Sequence, residues 1–179
     1  MKPLFKTIYH WSLDKKQTRN VFAAFILFTI VLHFMDTMIR LNTGGWGIVD
    51  MQLSFKAEKF YMILEKMRIS GLGLVFMSFA IDFIYPIIYA VALIMLMMKA
   101  ITESENDVLN WKFKIPFFIA GLDYVENISH LSLIKLSPQQ FPDVVLVTSW
   151  IASIKWSFAI LLLLWSIISY SLKKMDAQK

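Results

Sequence analysis

Four long apolar stretches constrain this chain more than any other feature of its sequence. They cover about residues 20–41, 71–98, 115–134 and 144–172. A helix rises about 1.5 Å per residue, so a stretch of about 20 residues crosses the hydrocarbon core of a bilayer. Because that core offers no water to backbone groups, such stretches cross it as helices. The pattern predicts an all-α membrane protein whose residues 1–179 form a single domain, a four-transmembrane-helix bundle.

The composition agrees with this class and excludes several kinds of chemistry. Hydrophobic residues make up 58% of the 179 residues, more than a soluble chain of this size can bury. Cysteine is absent, which excludes disulfides, thiolate catalysis and cysteine-ligated metals. The net charge of +5 is concentrated beside the apolar stretches. That placement is typical of membrane topology and not of a nucleic-acid partner.

Lysine and arginine are divided unevenly between the two ends of the predicted helices. Eleven lie in the N-terminal segment, the second loop with its flanks and the tail, whereas six lie in the first and third loops. The positive-inside rule therefore places both termini in the cytoplasm, and we expect a multi-pass protein of the bacterial inner membrane. We expect residues 1–19, which are basic with interleaved apolar side chains, to form a short helix on the inner surface before an uncleaved signal anchor.

The first extracytoplasmic loop contains a segment with the pattern of an amphipathic helix, over residues 55–68. We expect this helix to lie on the outer surface of the bilayer and to cap the bundle. Its apolar face would carry Phe60, Ile63, Leu64 and Met67, and its opposite face Lys56, Lys59 and Lys66.

Polar and ionisable side chains interrupt all four apolar stretches. Such groups are costly in a bilayer unless they are paired or hydrated, so they normally face the interior of a bundle. Within each stretch they share one helical stripe, as spacings of three, four and seven residues require. The candidate pocket residues are His33 and Asp36 with Arg40 near the mouth, then Asp82, Tyr85 and Tyr89, then Asp123, Glu126, Asn127 and His130, and finally Lys155.

Three of these residues lie at one depth. Asp82, Asp123 and Lys155 are each about eleven residues from the outer end of their stretch, or roughly 16 Å at the helical rise. We expect them to form the floor of the pocket, and the excess negative charge requires a protonated carboxyl group or a bound cation. Pro86 leaves the carbonyl of Asp82 without its helical donor. We expect Lys155 or a tyrosine hydroxyl to replace that donor.

The predicted upper wall of the pocket lies nearer the outer face. It consists of His33, Asp36, Glu126 and His130, together with Asn127. Imidazole and carboxylate groups suit zinc or iron, so the first four residues could hold a metal ion. Their spacing matches neither His-Glu-x-x-His nor the paired Glu-x-x-His of di-iron bundles. The alternatives are a hydrogen-bonded polar network and a charged clasp that fixes the register of the helices.

The chain is somewhat similar to the EXPERA group of sterol isomerases and related lipid-binding proteins. The resemblance covers four spans with cytoplasmic ends, an acidic residue late in the first span, Asp36, and an acidic residue ahead of a proline in the second, Asp82 with Pro86. It implies a lipid pocket inside the bundle. Lys155 has no counterpart in that group.

These observations lead to one function hypothesis and two alternatives. We expect a pocket that binds a lipid-like or amphiphilic ligand, and acid–base chemistry on that ligand is left open. The first alternative is a proton- or cation-coupled small transporter that uses the same carboxylates as relay groups. The second is a non-catalytic assembly subunit whose charges pair with another membrane protein. The expected partners are membrane lipids and either a second copy of the chain or another membrane protein.

Overall fold

The computed structural model describes residues 2–102 and 110–176, and these residues form helices and connecting turns without a strand. The helices are α1 (Lys2–Leu13), α2 (Lys15–Thr43), α3 (Ile48–Gln52), α4 (Ala57–Ser70), α5 (Gly73–Asp82), α6 (Tyr85–Ile101), α7 (Ile115–Leu136) and α8 (Pro142–Asp176), with a 3₁₀ turn at Trp111–Lys114. The prediction of an all-α protein is confirmed. Most of the predicted second loop lies outside the described residues.

Three helical segments of the described chain are long and apolar enough to cross a membrane. They are Lys15–Thr43, Gly73–Ile101 (α5 and α6 together) and Pro142–Met175. The third predicted stretch forms α7, which has 22 residues but is not among these three. The polar residues in the middle of α7 lower its mean hydropathy. The molecule is therefore a helical protein with three segments suited to a bilayer.

The contacts of the chain divide it into two compact units. Unit 1 comprises Met1–Ile26, Pro86–Gly121 and Ser157–Lys179, and unit 2 comprises Leu27–Tyr85 and Leu122–Trp156. In unit 1, α1 is held by its buried face, which carries Phe5, Ile8 and Ser12. The ring of Phe5 makes an edge contact with that of Phe117, with 6.0 Å between centroids.

The core of unit 2 is built around α4. The four residues predicted for the apolar face of this helix, Phe60, Ile63, Leu64 and Met67, are all buried there. Residues from α5, α7 and the start of α8 pack in the same core, among them Val75, Phe79, Leu133 and Val145. The amphipathic pattern of the first loop is thus confirmed as a helix, and its place on the membrane surface stays a prediction.

Candidate functional site

The main polar site of unit 2 is centred on Lys155 of α8. Its ammonium donates a hydrogen bond of 2.7 Å to Asp123 Oδ1 and forms an ion pair at 2.7 Å with Glu126 Oε2. Asp123 and Glu126 are three residues apart on α7, so they share one face of that helix. All three side chains are buried, with at most 6% of each exposed. The ring of Trp156 lies 5.1 Å from the same ammonium.

A third carboxylate joins this site through an asparagine. Asn127 Nδ2 donates to Asp82 Oδ2 at 3.0 Å and lies 3.4 Å from the backbone carbonyl oxygen of Asp82. Asn127 follows Glu126 directly and is fully buried. The five residues Asp82, Asp123, Glu126, Asn127 and Lys155 are called the carboxylate cluster below.

The helix interruption before Pro86 helps to position this cluster. Helix α5 ends at Asp82 and α6 begins at Tyr85, as expected where proline cannot donate to the carbonyl four residues earlier. Asn127 donates to that carbonyl. Lys155 was wrongly expected there, since its ammonium binds Asp123 and Glu126. A tyrosine does act one residue further along, because the Tyr124 hydroxyl donates to the carbonyl of Phe83 at 2.8 Å.

The cluster contains more acceptors than donors. The cluster contains three carboxyl groups and one ammonium, so full ionisation of the carboxyl groups would leave two uncompensated negative charges. Within the described residues, Glu126 Oε1 and Asn127 Oδ1 are buried and have no hydrogen-bond partner. Buried acceptors and unpaired charges are costly, so this arrangement favours the addition of a donor or of a positive charge.

His130 lies one turn beyond Glu126 on α7 and is buried. Its Nδ1 is 3.0 Å from the carbonyl oxygen of Glu126, to which it donates. The imidazole stacks on Phe60, with centroids 5.8 Å apart, and on Phe79, with centroids 6.4 Å apart. The ring therefore stacks on two phenyl rings beside the carboxylate cluster.

Asp36 belongs to a second polar group, which fastens the first loop to α2. Its Oδ2 is 2.7 Å from Arg40 Nε, and its Oδ1 accepts the backbone N–H of Ile48 at 2.6 Å. Arg40 Nη1 is 2.6 Å from Asp50 Oδ2, which also accepts the N–H of Gly47. A Cβ atom at Gly47 would lie 2.6 Å from Asp36 Oδ2 and 2.7 Å from Arg40 Nε. Only glycine lets the loop approach this ion pair so closely.

The remaining predicted pocket residues have other surroundings. His33 is exposed on α2. The hydroxyls of Tyr85 and Thr29 are 2.8 Å apart. Tyr89 is buried and belongs to unit 1. The structure thus brings Asp82, Asp123, Glu126, Asn127, His130 and Lys155 together and places Asp36 and His33 elsewhere.

Sequence reasoning missed Asp50, Gly47 and Tyr124. Asp50 stands three residues after Gly47 at the start of α3, where an acidic side chain can accept the N–H of the capping residue. That spacing was a usable signal for Asp50. Tyr124 directly follows Asp123, but the broken helix that offers it a carbonyl lies 41 residues away.

Residues 2–102 and 110–176 contain no group of three or more histidine or carboxylate side chains arranged to hold a metal ion. The predicted metal ligands do not meet, since His33 is exposed and Asp36 is bound to Arg40 and Ile48.

Unit 2 contains a small cavity of about 10 Å³, enough for about one water molecule. It is lined by Ile39, Asn42, Thr43, Met67, Ser70, Gly71, Leu74 and Val75. None of these residues was predicted to line the ligand pocket. The pocket for a lipid-like ligand stays a prediction.

Comparison with protein-family models, with curated proteins and with solved structures gives no match for this chain.

Proposed function

We propose that the chain is a small four-span membrane protein whose carboxylate cluster binds and releases protons, as the relay of a proton-coupled transporter. The observation that supports this function is the excess of acceptors in the cluster. Two carboxylates pair with the one ammonium, a third, that of Asp82, is bound through Asn127, and the buried Glu126 Oε1 and Asn127 Oδ1 lack donors among the described residues.

In this proposal α7 is the fourth span. Its 22 residues extend roughly 33 Å, enough to cross a bilayer. Its polar residues Asp123 and Glu126 are buried inside the protein, whereas Phe118 and Ile128 are exposed. A helix with this division presents an apolar surface to lipid even though its average hydropathy is low. With four spans, both termini lie on the same side, and the positive-inside rule places them in the cytoplasm.

A proton supplies the positive charge and the hydrogen-bond donor that the cluster lacks. It removes one negative charge from a buried group, and it turns a carboxylate into a hydrogen-bond donor. A protonated Glu126 or Asp123 could donate to an acceptor that is otherwise unpaired. Release of that proton restores the excess charge, so the cluster alternates between two states that differ by one proton.

The other hypotheses receive less support from the same geometry. Charges that pair with another membrane protein would face outward, but Asp123, Glu126 and Lys155 are paired within one chain and buried. A single buried polar residue or ion pair is enough to fix helix register, and the cluster has three acids for one base. A ligand pocket requires room, and the cluster residues contact one another directly.

Infrared spectroscopy of the purified protein tests the proton site. A buried protonated carboxyl group gives a C=O band, which should appear and disappear with pH in the unaltered protein. We expect Glu126→Gln and Asp123→Asn to remove or shift this band, because they remove the titrating groups. Glu65→Gln, which neutralises an exposed acid of α4, should leave it unchanged. A band that is identical in all four proteins contradicts the proposal.

Reconstituted vesicles test transport. With a trapped pH-sensitive dye and an imposed membrane potential, the unaltered protein and Glu65→Gln should carry protons above the rate of protein-free vesicles. Glu126→Gln and Asp123→Asn should fall to the protein-free rate, provided that they are folded by circular dichroism. Equal proton flux in these two variants and the unaltered protein, or no flux above protein-free vesicles in the unaltered protein, contradicts the transport role.

A further inference from the structure

The corner between α1 and α2 carries an exposed group of cations at the end of a candidate span. Lys15, Lys16 and Arg19 are exposed in the first turns of α2, and α2 is one of the segments suited to a bilayer. We infer that these three residues, called the basic corner below, bind the headgroups of anionic phospholipids. This inference concerns residues of unit 1 and is independent of the proposed proton site.

Charge complementarity is the first argument. Residues 2–19 contain five lysine and arginine residues and one acid, Asp14. The carboxylate of Asp14 is already engaged, because its Oδ1 accepts the backbone N–H groups of Lys16 at 2.7 Å and of Gln17 at 3.3 Å. None of the three basic-corner side chains has an ion-pair partner in the part of the chain that the structure describes. A juxtamembrane group of cations without carboxylate partners attracts anionic lipids.

Hydrogen bonds connect the end of α1 to the start of α2 at this corner. The Thr18 hydroxyl lies 3.2 Å from each of the carbonyl oxygens of Trp11 and Ser12, in the last turn of α1. The backbone N–H of Asp14 donates to the carbonyl of His10 at 3.1 Å. Helix α1 therefore does not swing freely from the start of α2.

The apolar side chains of α1 supply the second argument. One face, with Phe5 and Ile8, is buried within unit 1, but Leu4, Trp11 and Leu13 remain exposed. Exposed apolar residues that include a tryptophan, beside lysines at the end of a span, are the pattern of a helix at the membrane interface. Apolar side chains enter the acyl region while the cations meet the phosphates. This combination fits a phospholipid better than a free anion.

A matched set of lysines exists in unit 2. Lys59 and Lys66 lie over the ring of Trp46, at 5.4 and 5.6 Å from its centroid, and Lys56 precedes them on the chain. Replacing these three lysines removes the same total charge as replacing the basic corner. They are therefore the control for a general effect of charge on lipid binding.

The experiment uses the full chain in vesicles of phosphatidylcholine with a minor share of phosphatidylglycerol. After gentle extraction, native mass spectrometry counts the two lipids that remain bound. The unaltered protein should retain phosphatidylglycerol several-fold above its share in the vesicle. The variant Lys15→Gln/Lys16→Gln/Arg19→Gln should lose most of this enrichment, and Lys56→Gln/Lys59→Gln/Lys66→Gln should keep it.

Three outcomes would overturn the inference. They are unchanged enrichment in the basic-corner variant, an equal loss in both triple variants, and displacement of the bound lipid by inorganic phosphate alone. Circular dichroism and gel filtration of each variant show that a loss of lipid is not a loss of fold.

Discussion

At the scale of single residues, the buried Lys155 depends most strongly on its partners, because its charge must be compensated. Lys155 has two carboxylate partners at 2.7 Å and is almost fully buried. Removal of one member of a buried ion pair leaves the remaining charge buried and uncompensated. This costs more free energy of folding than the intact pair contributes.

We expect Lys155→Met to lower the free energy of unfolding by about 3–5 kcal/mol, because Asp123 and Glu126 lose their shared cation. The measurement is chemical unfolding in detergent followed by circular dichroism. Lys135→Met, which removes an exposed lysine of α7, is the control and should change the stability little. The triple variant Lys155→Met/Asp123→Asn/Glu126→Gln should recover part of the loss, since the orphaned charges are removed as well. A single variant as stable as the control contradicts this assignment.

Part of the candidate site was predictable, because an ionisable group in an apolar stretch has few possible partners other than the ionisable groups of the other stretches. Asp82, Asp123 and Lys155 could therefore be grouped from their depth alone. Glu126 was predicted in a layer nearer the outside, but it also pairs with Lys155. Asp36 could not be assigned in the same way. Its partners include Asp50 and the backbone of Ile48, and a loop that folds back on a helix leaves no periodic signal in the sequence.

At the scale of elements, the interruption between α5 and α6 is compensated from α7. Pro86 explains the break, and two residues on adjacent turns of α7 donate hydrogen bonds to backbone carbonyls at the break. Tyr124 binds the carbonyl of Phe83, and Asn127 reaches that of Asp82. The hydrogen bonds from α7 to the break hold the Asp82 carboxylate next to the other acids.

We expect Tyr124→Phe to destabilise the protein by about 1–3 kcal/mol, because the partly buried carbonyl of Phe83 loses its donor. Thermal unfolding in detergent measures the change. Tyr170→Phe removes the same hydroxyl from an exposed position on α8 and should have a smaller effect. Equal stability of the two variants would show that the Tyr124 hydrogen bond contributes nothing.

The position of the break could be predicted, but not its donors. A proline marks the carbonyl that loses its partner, whatever the rest of the chain does. The identity of the donor depends on how α7 is rotated and how far it is shifted along its axis, and the sequence does not specify these two quantities. The same limit applies to α7 itself, whose average hydropathy is low because its polar face is internal.

At the scale of the whole molecule, the number of membrane crossings decides on which side the C-terminus lies. With α7 as a span, the two ends of the chain share one side. With only the three segments of higher hydropathy, the ends lie on opposite sides.

Because the chain contains no cysteine, the side of each terminus can be found by labelling single cysteines introduced into an otherwise unaltered chain. We expect single cysteines at Thr7 and at Lys174 to react with a membrane-impermeant maleimide from the same side, because four spans return the chain to the side on which it began. Labelling of intact and opened cells or vesicles measures the side. Reaction of Thr7→Cys and Lys174→Cys from opposite sides contradicts the fourth span. Lys56→Cys, at an exposed position of the first loop, should report the other side in both cases.

The stacking of His130 on Phe60 and Phe79 has a practical consequence for spectroscopy. Protons that lie above the plane of an aromatic ring experience an induced magnetic field that shields them, and this imidazole stacks on two such rings. The described part of the chain has two other histidines, His10 and His33, and both are exposed. The resonances of His130 are therefore expected at higher field than theirs. A shift of those resonances would register small movements of α4 or α5 against α7 without any added label.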